Sequence, residues 1–129
     1  MVEDSSPPLL ALPDCIAEVV KPWAQNLPDQ PALVEKSGSW TYQQLNQAVV
    51  ETQAWLRTLG VRPGDRVMIV CENCRVFVAI LLALAEIGAW PVLVNARLSA
   101  REVDQIRDLS CARRVIYTTS VSAQAREHA

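Results

Sequence analysis

The chain has 129 residues, half of them apolar, which is enough material for one domain with a single sizeable core. Twelve basic and fourteen acidic residues leave a formal net charge of −2, and the charges form no runs. This excludes the basic surface by which proteins bind nucleic acids or anionic membranes, so we expect no nucleic-acid partner.

The N-terminus predicts a flexible leader over residues 1–13. Three prolines and two serines punctuate it, and such segments are typically frayed. Acidic residues stand where a secretory signal needs a basic region, and the only apolar run is four residues long. We therefore predict a cytoplasmic protein whose structured domain spans residues 14–129.

One segment is apolar enough to raise the question of a membrane span, namely Val76–Val94. A charge near its middle, at Glu86, would cost on the order of 3 kcal/mol in a bilayer. Gly88 and Pro91 also interrupt the helix. The segment therefore predicts a buried helix followed by a strand, and no transmembrane helix.

The first half of the domain predicts a helix, a hairpin and a second helix. Apolar spacing favours a short helix over Asp14–Gln25, shortened or kinked by Pro22. Extended runs around Ser37-Gly38-Ser39 predict a hairpin with strands Ala32–Glu35 and Trp40–Tyr42.

The second helix has a clear beginning and end. Thr41 and Gln44 form a capping box, and Gly60 ends the helix. Its predicted buried face consists of apolar residues at helical spacing: Leu45, Ala48, Val49, Trp55, Leu56 and Leu59.

The second half predicts alternating strands and helices. After a turn at Pro63-Gly64, RVMIV is a continuous β-prone run, typical of a strand covered on both faces. Asn73 is the predicted cap of an apolar helix that runs to Ile87, and PVLVN follows as a second buried strand.

A further helix and a third strand complete this pattern. Ser99 with Glu102 forms a capping box, and Leu98 with Val103 forms a hydrophobic staple. RVIYT, Arg114–Thr118, is the third predicted buried strand. The order predicts an α/β fold: an N-terminal hairpin and helix, then a β-α-β-α-β parallel layer with right-handed crossovers.

The sequence CENC, residues 71–74, is the most conspicuous candidate for chemistry. Cys71 ends a predicted strand and Cys74 lies in the predicted first turn of a helix, where the helix dipole lowers a thiol pKa as in thioredoxin-type sites. The alternative is that both are small packing residues. Nothing near them in sequence makes the pair reactive, so we favour packing.

Other motifs offer no site. A zinc site needs two more ligands, and Cys15, Cys111 and His128 show no paired spacing. The four glycines are too far apart for a phosphate-binding loop, and Thr118–Ser122 predicts a strand end. No general base emerges: Glu86, on an apolar helix, is the partial exception among ordinary surface acids.

The order of three segments resembles the N-terminal part of the AMP-forming acyl-CoA synthetases and their adenylate-forming relatives. They are PALVEKSGSWTYQQLNQ, LRTLGVRPGDRVMIVCEN and LLALAEIGAWPVLVNARLSAREV. WTYQQL is similar to the first core motif of that family and LALAEIGAWPVLVN to its second. The resemblance covers about Leu12 to Thr119.

The resemblance implies an incomplete N-terminal subdomain of an acid–CoA ligase, such as those of fatty acid metabolism. Full-length relatives use ATP, Mg²⁺ and CoA, held by a phosphate loop, nucleotide motifs and a C-terminal lysine. Those motifs match nothing here, since the only lysines are Lys21 and Lys36. We therefore predict a partial AMP-binding domain, truncated before the phosphate loop, with no catalytic, cofactor-binding or metal residue.

The resemblance also implies that Glu72-Asn73 begins a helix, so that Cys71 and Cys74 merely flank a structural turn. The leading hypothesis is an inactive piece of an acid–CoA ligase. Unless a partner covers its apolar surface, we expect the isolated chain to self-associate. One alternative is a noncatalytic binding or assembly module completed by a second, downstream polypeptide. The other alternative is a small CxxC thiol oxidoreductase.

Overall fold

The computed structural model describes residues 13–120 and 122–129. The predicted flexible leader, residues 1–13, lies outside the described residues apart from Pro13.

The N-terminal helical segment is divided in two. A 3-10 turn spans Ile16–Val19, and helix α1 spans Lys21–Asn26 with Pro22 in its first turn. Proline fits there because the first amides of a helix have no intrahelical partner, whereas further along it would break the helix. The predicted continuous helix over residues 14–25 is therefore wrong, whereas the predicted shortening at Pro22 is confirmed.

The hairpin is present, with its turn one residue earlier than predicted. Strands β1, Pro31–Glu35, and β2, Gly38–Thr41, pair antiparallel, and the turn consists of residues 36 and 37. Gly38 has φ +148° and opens β2; a Cβ atom there would lie 3.2 Å from the Arg75 guanidinium. Close approach of that side chain, as well as backbone freedom, favours glycine.

Helix α2, Tyr42–Thr58, begins with the predicted capping box. The Gln44 amide donates to Thr41 Oγ1 at 3.2 Å, and the Thr41 amide donates to the Gln44 side chain at 2.9 Å. Leu45, Val49 and Leu56 are buried as expected. Trp55 was predicted on the same face but is 45% exposed, although the neighbouring Leu56 is fully buried.

The remaining elements form the predicted β-α-β-α-β layer, with one further helix. The strands are β3, Arg66–Cys71; β4, Trp90–Asn95; and β5, Arg114–Tyr117. The helices are α3, Arg75–Ile87; α4, Ala100–Ser110; and α5, Ala123–His128. Both β4 and β5 pair parallel with β3, so the sheet order is β4-β3-β5. The predicted α/β fold is confirmed.

The central strand β3 is covered on both faces. Val67 and Ile69 join a core with α2, α3 and the hairpin, whereas Met68 and Val70 join a second core with α4 and α5. None of these four side chains has exposed surface. The domain is therefore a sheet between two helical layers, as continuous apolar strands require.

The outer strands are less buried than predicted. Only Val94 is buried in β4 and only Ile116 in β5. Each strand borders β3 on one side and has no strand on the other among the described residues. The prediction of three fully buried strands is therefore wrong for β4 and β5, because a continuous apolar run does not distinguish a central strand from an edge strand.

Arg75, the first residue of α3, fastens the hairpin to the main domain. Its guanidinium forms an ion pair with Glu35 of β1 and lies 5.2 Å from the centroid of the Trp40 ring in β2. A second ion pair joins Lys21 to Glu86 at 2.8 Å. Glu86, the partial exception among the predicted surface acids, is thus a partner for α1.

None of the described helices is both long and apolar enough to cross a membrane. The segment Val76–Val94 divides, as predicted, into α3 and the strand that follows it.

One buried side chain of α3 tests the packing of the core. Leu84 has no exposed surface and lies in the core beneath α2. We expect Leu84→Ala to lower the free energy of unfolding by about 2–5 kcal/mol, since a cavity remains. Chemical denaturation measures this change.

Leu109→Ala, at a position that is 85% exposed, is the matched control and should change stability by less than about 0.5 kcal/mol. Similar losses in the two variants would contradict the packing described above.

Candidate functional site

Two loops meet at the carboxyl end of the parallel sheet. One follows β3 and leads to α3, and the other follows β4 and leads to α4, on the opposite face. A crevice opens where the connections of two adjacent parallel strands diverge in this way, and ligands of α/β proteins commonly bind in such crevices. The fold therefore selects this edge as the candidate functional site.

The two loops are tied together by hydrogen bonds. The Ala96 amide donates to the Cys71 carbonyl at 3.1 Å, joining the loops directly. Asn95 then fixes the path toward α4, since its side-chain oxygen accepts from the Arg97 amide at 2.9 Å and its carbonyl from the Leu98 amide at 3.2 Å. Asn95 is thus an asparagine that shapes a turn.

The crevice between the loops has a volume of about 610 Å³. It combines apolar side chains from the sheet and α3 with polar groups from the two loops. The lining residues are Cys71, Glu72, Asn73, Phe77, Leu93, Val94, Asn95 and Arg97. An apolar wall with a few convergent polar groups is the usual composition of a small-molecule site.

Charge in the crevice is concentrated in one ion pair. Arg97 Nε lies 3.0 Å from Glu72 Oε1, and the Arg97 side chain is 75% exposed. Arg97, with a smaller contribution from the Ser122 hydroxyl, holds the pKa of the Glu72 carboxyl below its ordinary value. The carboxylate is therefore charged at neutral pH. It is suited to hold Arg97 and not to accept a proton as a general base.

Sequence reasoning considered Cys71 of this crevice only as a possible redox cysteine, favoured packing for it, and gave no residue of the crevice a ligand-binding role. The available signal was a pair of polar runs, Glu72-Asn73 and Asn95 to Arg97, each directly after a predicted strand. Because parallel strands end at the same edge, these runs had to meet. His128, set aside because it lies near the C-terminus, also approaches this region: its Nε2 is 3.0 Å from the Ala96 carbonyl oxygen.

The beginning of α3 differs from the prediction. Cys74 is the N-cap residue and makes no side-chain capping bond, so Asn73 is not the cap and Cys74 precedes the first turn. The predicted cap at Asn73 is therefore wrong. Arg75 is the first helical residue, and its ion pair to Glu35 anchors this end of the helix.

The surroundings of CENC favour packing over redox chemistry. Cys74 is buried, and both thiols are free. Burial, followed by the neighbouring Cys74, raises the pKa of the Cys71 thiol. A reactive cysteine needs a lowered pKa, so the shift runs in the wrong direction for a thioredoxin-type site.

The other candidate motifs remain structural in the described part of the chain. No cluster of three potential metal ligands occurs among the described residues. Thr118 follows β5, as the predicted strand end requires, and Ser122 accepts a 3.0 Å hydrogen bond from Ala125 as the N-cap of α5. Helix α5 itself was missed.

The environment of the cysteines predicts an order of alkylation. Cys111 is exposed, whereas Cys74 is buried and Cys71 has a raised pKa. With iodoacetamide at pH 8, we expect Cys111 to be modified at least about tenfold faster than Cys71, because the thiolate is the nucleophile. Peptide mass spectrometry measures the rates. Rapid modification of Cys71 at pH 6 would instead support the oxidoreductase hypothesis.

The Glu72–Arg97 pair predicts a specific titration. Because the folded-state pKa of Glu72 is lowered, its contribution to stability is present above the unfolded-state pKa and is lost as pH falls through the lowered value. We expect Arg97→Ala to raise the pH at the midpoint of the Glu72 carboxyl titration, measured by NMR. Arg101→Ala, at an exposed position in the next helix, is the control, and an equal shift there would refute the pairing.

Comparison with known proteins gives this geometry a context. The 3-hydroxybenzoate–CoA ligase of Aromatoleum sp. (strain CIB) is 38% identical over 91 residues, which is 70% of this chain and 17% of that protein. The crotonobetaine/carnitine–CoA ligase of Escherichia coli is 39% identical over 74 residues, which is 54% of this chain and 14% of that protein. The chain thus spans about one sixth of the length of these curated relatives.

Solved structures agree with the sequence comparison. The inhibitor-bound N-terminal domain of FACL13 from Mycobacterium tuberculosis aligns with a TM-score of 0.79 at 32% identity, over 88% of this chain and 29% of that one. The N-terminal subdomain of Klebsiella oxytoca NpsA, bound to 3-hydroxybenzoyl-AMSN, aligns with a TM-score of 0.73 at 27% identity. The alignment covers 78% of this chain and 26% of that one. The sequence model of the family described as AMP-binding enzyme matches residues 20–129. The chain therefore belongs to the AMP-binding enzyme family.

Proposed function

We propose that the chain is the N-terminal part of an acid–CoA ligase, an enzyme that activates a carboxylic acid with ATP to an acyl-adenylate and then forms the CoA thioester. The family match over residues 20–129 carries this proposal. It is supported by curated relatives whose names specify CoA ligases. The confirmed α/β layer provides the scaffold that such an enzyme would use.

We also propose that these 129 residues alone do not catalyse the reaction. The scattered glycines support this proposal, since Gly38, Gly60, Gly64 and Gly88 each lie in a separate turn or strand start. A phosphate loop needs consecutive backbone amides that converge on one anion. No catalytic step is therefore assigned to these residues.

The role proposed for this chain is to supply one layer of the adenylation domain. The Glu72–Arg97 pair and the apolar wall around Phe77 would form part of a larger site whose remaining groups come from further polypeptide. The acid is a carboxylic acid of unspecified class, with aromatic and fatty acids both consistent with the relatives' names. Cytoplasmic location is part of the same proposal.

The alternative of a noncatalytic assembly module rests on the same incompleteness. In that case a second polypeptide would complete the layer without making it catalytic. The observation that favours this alternative is that β4 and β5 have no strand along their outer edges among the described residues. The ligase remains the leading proposal.

An exchange assay tests whether this chain needs the rest of a ligase for activity. We expect the isolated chain to give no acid-dependent exchange of pyrophosphate into ATP. A chimera in which residues 20–129 replace the corresponding segment of the Aromatoleum ligase should regain exchange with 3-hydroxybenzoate, because the rest of that enzyme supplies nucleotide and acid binding. The measurement is the rate of label transfer above a protein-free blank.

The same chimera carrying Leu84→Asp is the matched negative control, since a buried charge disrupts the layer. Exchange by the isolated chain would refute its proposed inactivity. A chimera that melts cooperatively yet shows no exchange would refute the proposal that this segment serves a ligase.

A further inference from the structure

Five arginines lie together at the amino end of the parallel sheet, the end opposite the crevice. They come from the end of α2 and the loop after it, from the first residue of β3, and from the start of β5. All five residues are exposed, and we call this cluster the basic pole: Arg57, Arg62, Arg66, Arg113 and Arg114. Because they belong to separate segments of the chain, no run of charge in the sequence reveals them.

Hydrogen bonds hold these segments against one another. The Arg113 amide donates to the Arg66 carbonyl at 2.7 Å, which joins the starts of β3 and β5. Arg114 Nε donates to the Leu59 carbonyl at 3.0 Å, which ties the end of α2 to the same edge. A Cβ atom at Gly60 would lie 3.9 Å from a terminal nitrogen of Arg113. The fold itself therefore brings the arginines together.

Most of the positive charge of the basic pole has no counter-charge. Asp65 is the one acidic residue in the segments that supply the pole, and it pairs with Arg113 at 3.4 Å. The other four arginines form no ion pair with any described residue. Five arginines against one aspartate give the pole a formal charge of +4, so the rest of the chain, whose total is −2, carries −6. Like charges held together repel, and an acidic partner would relieve that repulsion.

An exposed tryptophan borders the basic pole. Trp90 is the first residue of β4, pairs with Arg66 in the register of β3 and β4, and is 66% exposed. Its amide donates to the Asp65 carbonyl at 2.7 Å, which fixes it beside the pole. Tryptophan and arginine are the residue types most enriched at the energetic centres of protein interfaces. Trp90 is thus a second, independent sign of a protein partner.

We propose that the basic pole and Trp90 form a docking surface for an acidic protein partner, a segment that carries several carboxylates around one large apolar side chain. Guanidinium groups bind carboxylates through paired hydrogen bonds, and the apolar side chain would cover the tryptophan. Strand β3 has six residues, so the pole lies roughly 17 Å from the crevice. A partner at the pole would leave the crevice open. This inference goes beyond the proposed ligase function and does not depend on catalysis.

A compact acidic protein surface fits the basic pole better than a nucleic acid does. Nucleic acids present phosphates along an extended path, and their affinity grows with the number of phosphates that are neutralised. Beyond the pole, such a path would meet the rest of the chain, which carries a net negative charge. Asp65 would oppose phosphates within the pole as well. A small group of carboxylates can contact the arginines alone.

Fluorescence anisotropy with a labelled peptide tests the docking surface. The probe is a glutamate-rich peptide with one central leucine, titrated with the full chain at low and at physiological salt. We expect saturable binding that weakens as salt rises, because exposed charges are screened. Arg62→Gln combined with Arg66→Gln should weaken binding at least about tenfold, since hydrogen bonds to charged groups are lost. Neither side chain forms an ion pair with a described residue, so this variant should fold.

The matched control removes the same number of charges elsewhere. Lys36→Gln combined with Arg101→Gln acts at two exposed positions outside the pole and should change the affinity by less than about twofold. Trp90→Ser should weaken binding without changing its salt dependence, because it removes an apolar contact and no charge. Absence of binding at low salt would overturn the proposal, as would equal losses in the two double variants.

Competing ligands and hydrogen exchange complete the test. Tighter binding of a DNA duplex, or of vesicles that contain phosphatidylserine, would overturn the proposal in favour of a nucleic acid or a membrane. With the peptide bound, hydrogen exchange in residues 60–66 should slow, whereas exchange in residues 95–97 of the crevice should not. Protection confined to the crevice would overturn the proposal even if the peptide binds.

Discussion

The structure depends on a single constraint: β3 is apolar on both faces and must be covered on both. Val67 and Ile69 require helices on one side, and Met68 and Val70 require helices on the other. Strand connections that alternate between the two faces satisfy this requirement. The same alternation opens the crevice at the carboxyl end of β3 and β4, so the burial of four side chains fixes where a ligand could bind.

The polar residues around the crevice are organised by the backbone more than by one another. Asn95 accepts hydrogen bonds that turn the chain toward α4, and the Ala96 amide ties that turn to the end of β3. Glu72 and Arg97 are brought opposite each other as a consequence. The CENC sequence occupies the same turn, where burial raises the pKa of Cys71 and so suppresses the chemistry that its spacing suggests.

Membership of the AMP-binding enzyme family and the exposed features of the sheet have a common explanation. The chain spans 26–29% of the two solved N-terminal domains described above, and its outer strands are only partly buried. Under the proposed function, further polypeptide would cover these strands, which would account for apolar residues where the described residues provide no cover. Trp55, Val76 and the Thr118 hydroxyl, which has no hydrogen-bond partner among the described residues, lie together beside the end of β5.

The sequence by itself determined the turns and helix caps, whose hydrogen bonds and backbone angles involve only residues a few positions apart. The capping boxes at Thr41 and Ser99 and the turn at Pro63-Gly64 all form as predicted, because each depends only on neighbouring side chains and backbone. The family resemblance, read from motifs in those elements, is likewise confirmed. Tertiary structure alone decided which strand is central, where α3 begins, and which groups meet in the crevice. Burial, the partner of Arg75 and the convergence of strand ends are long-range properties, and residue patterns of a single strand do not contain them.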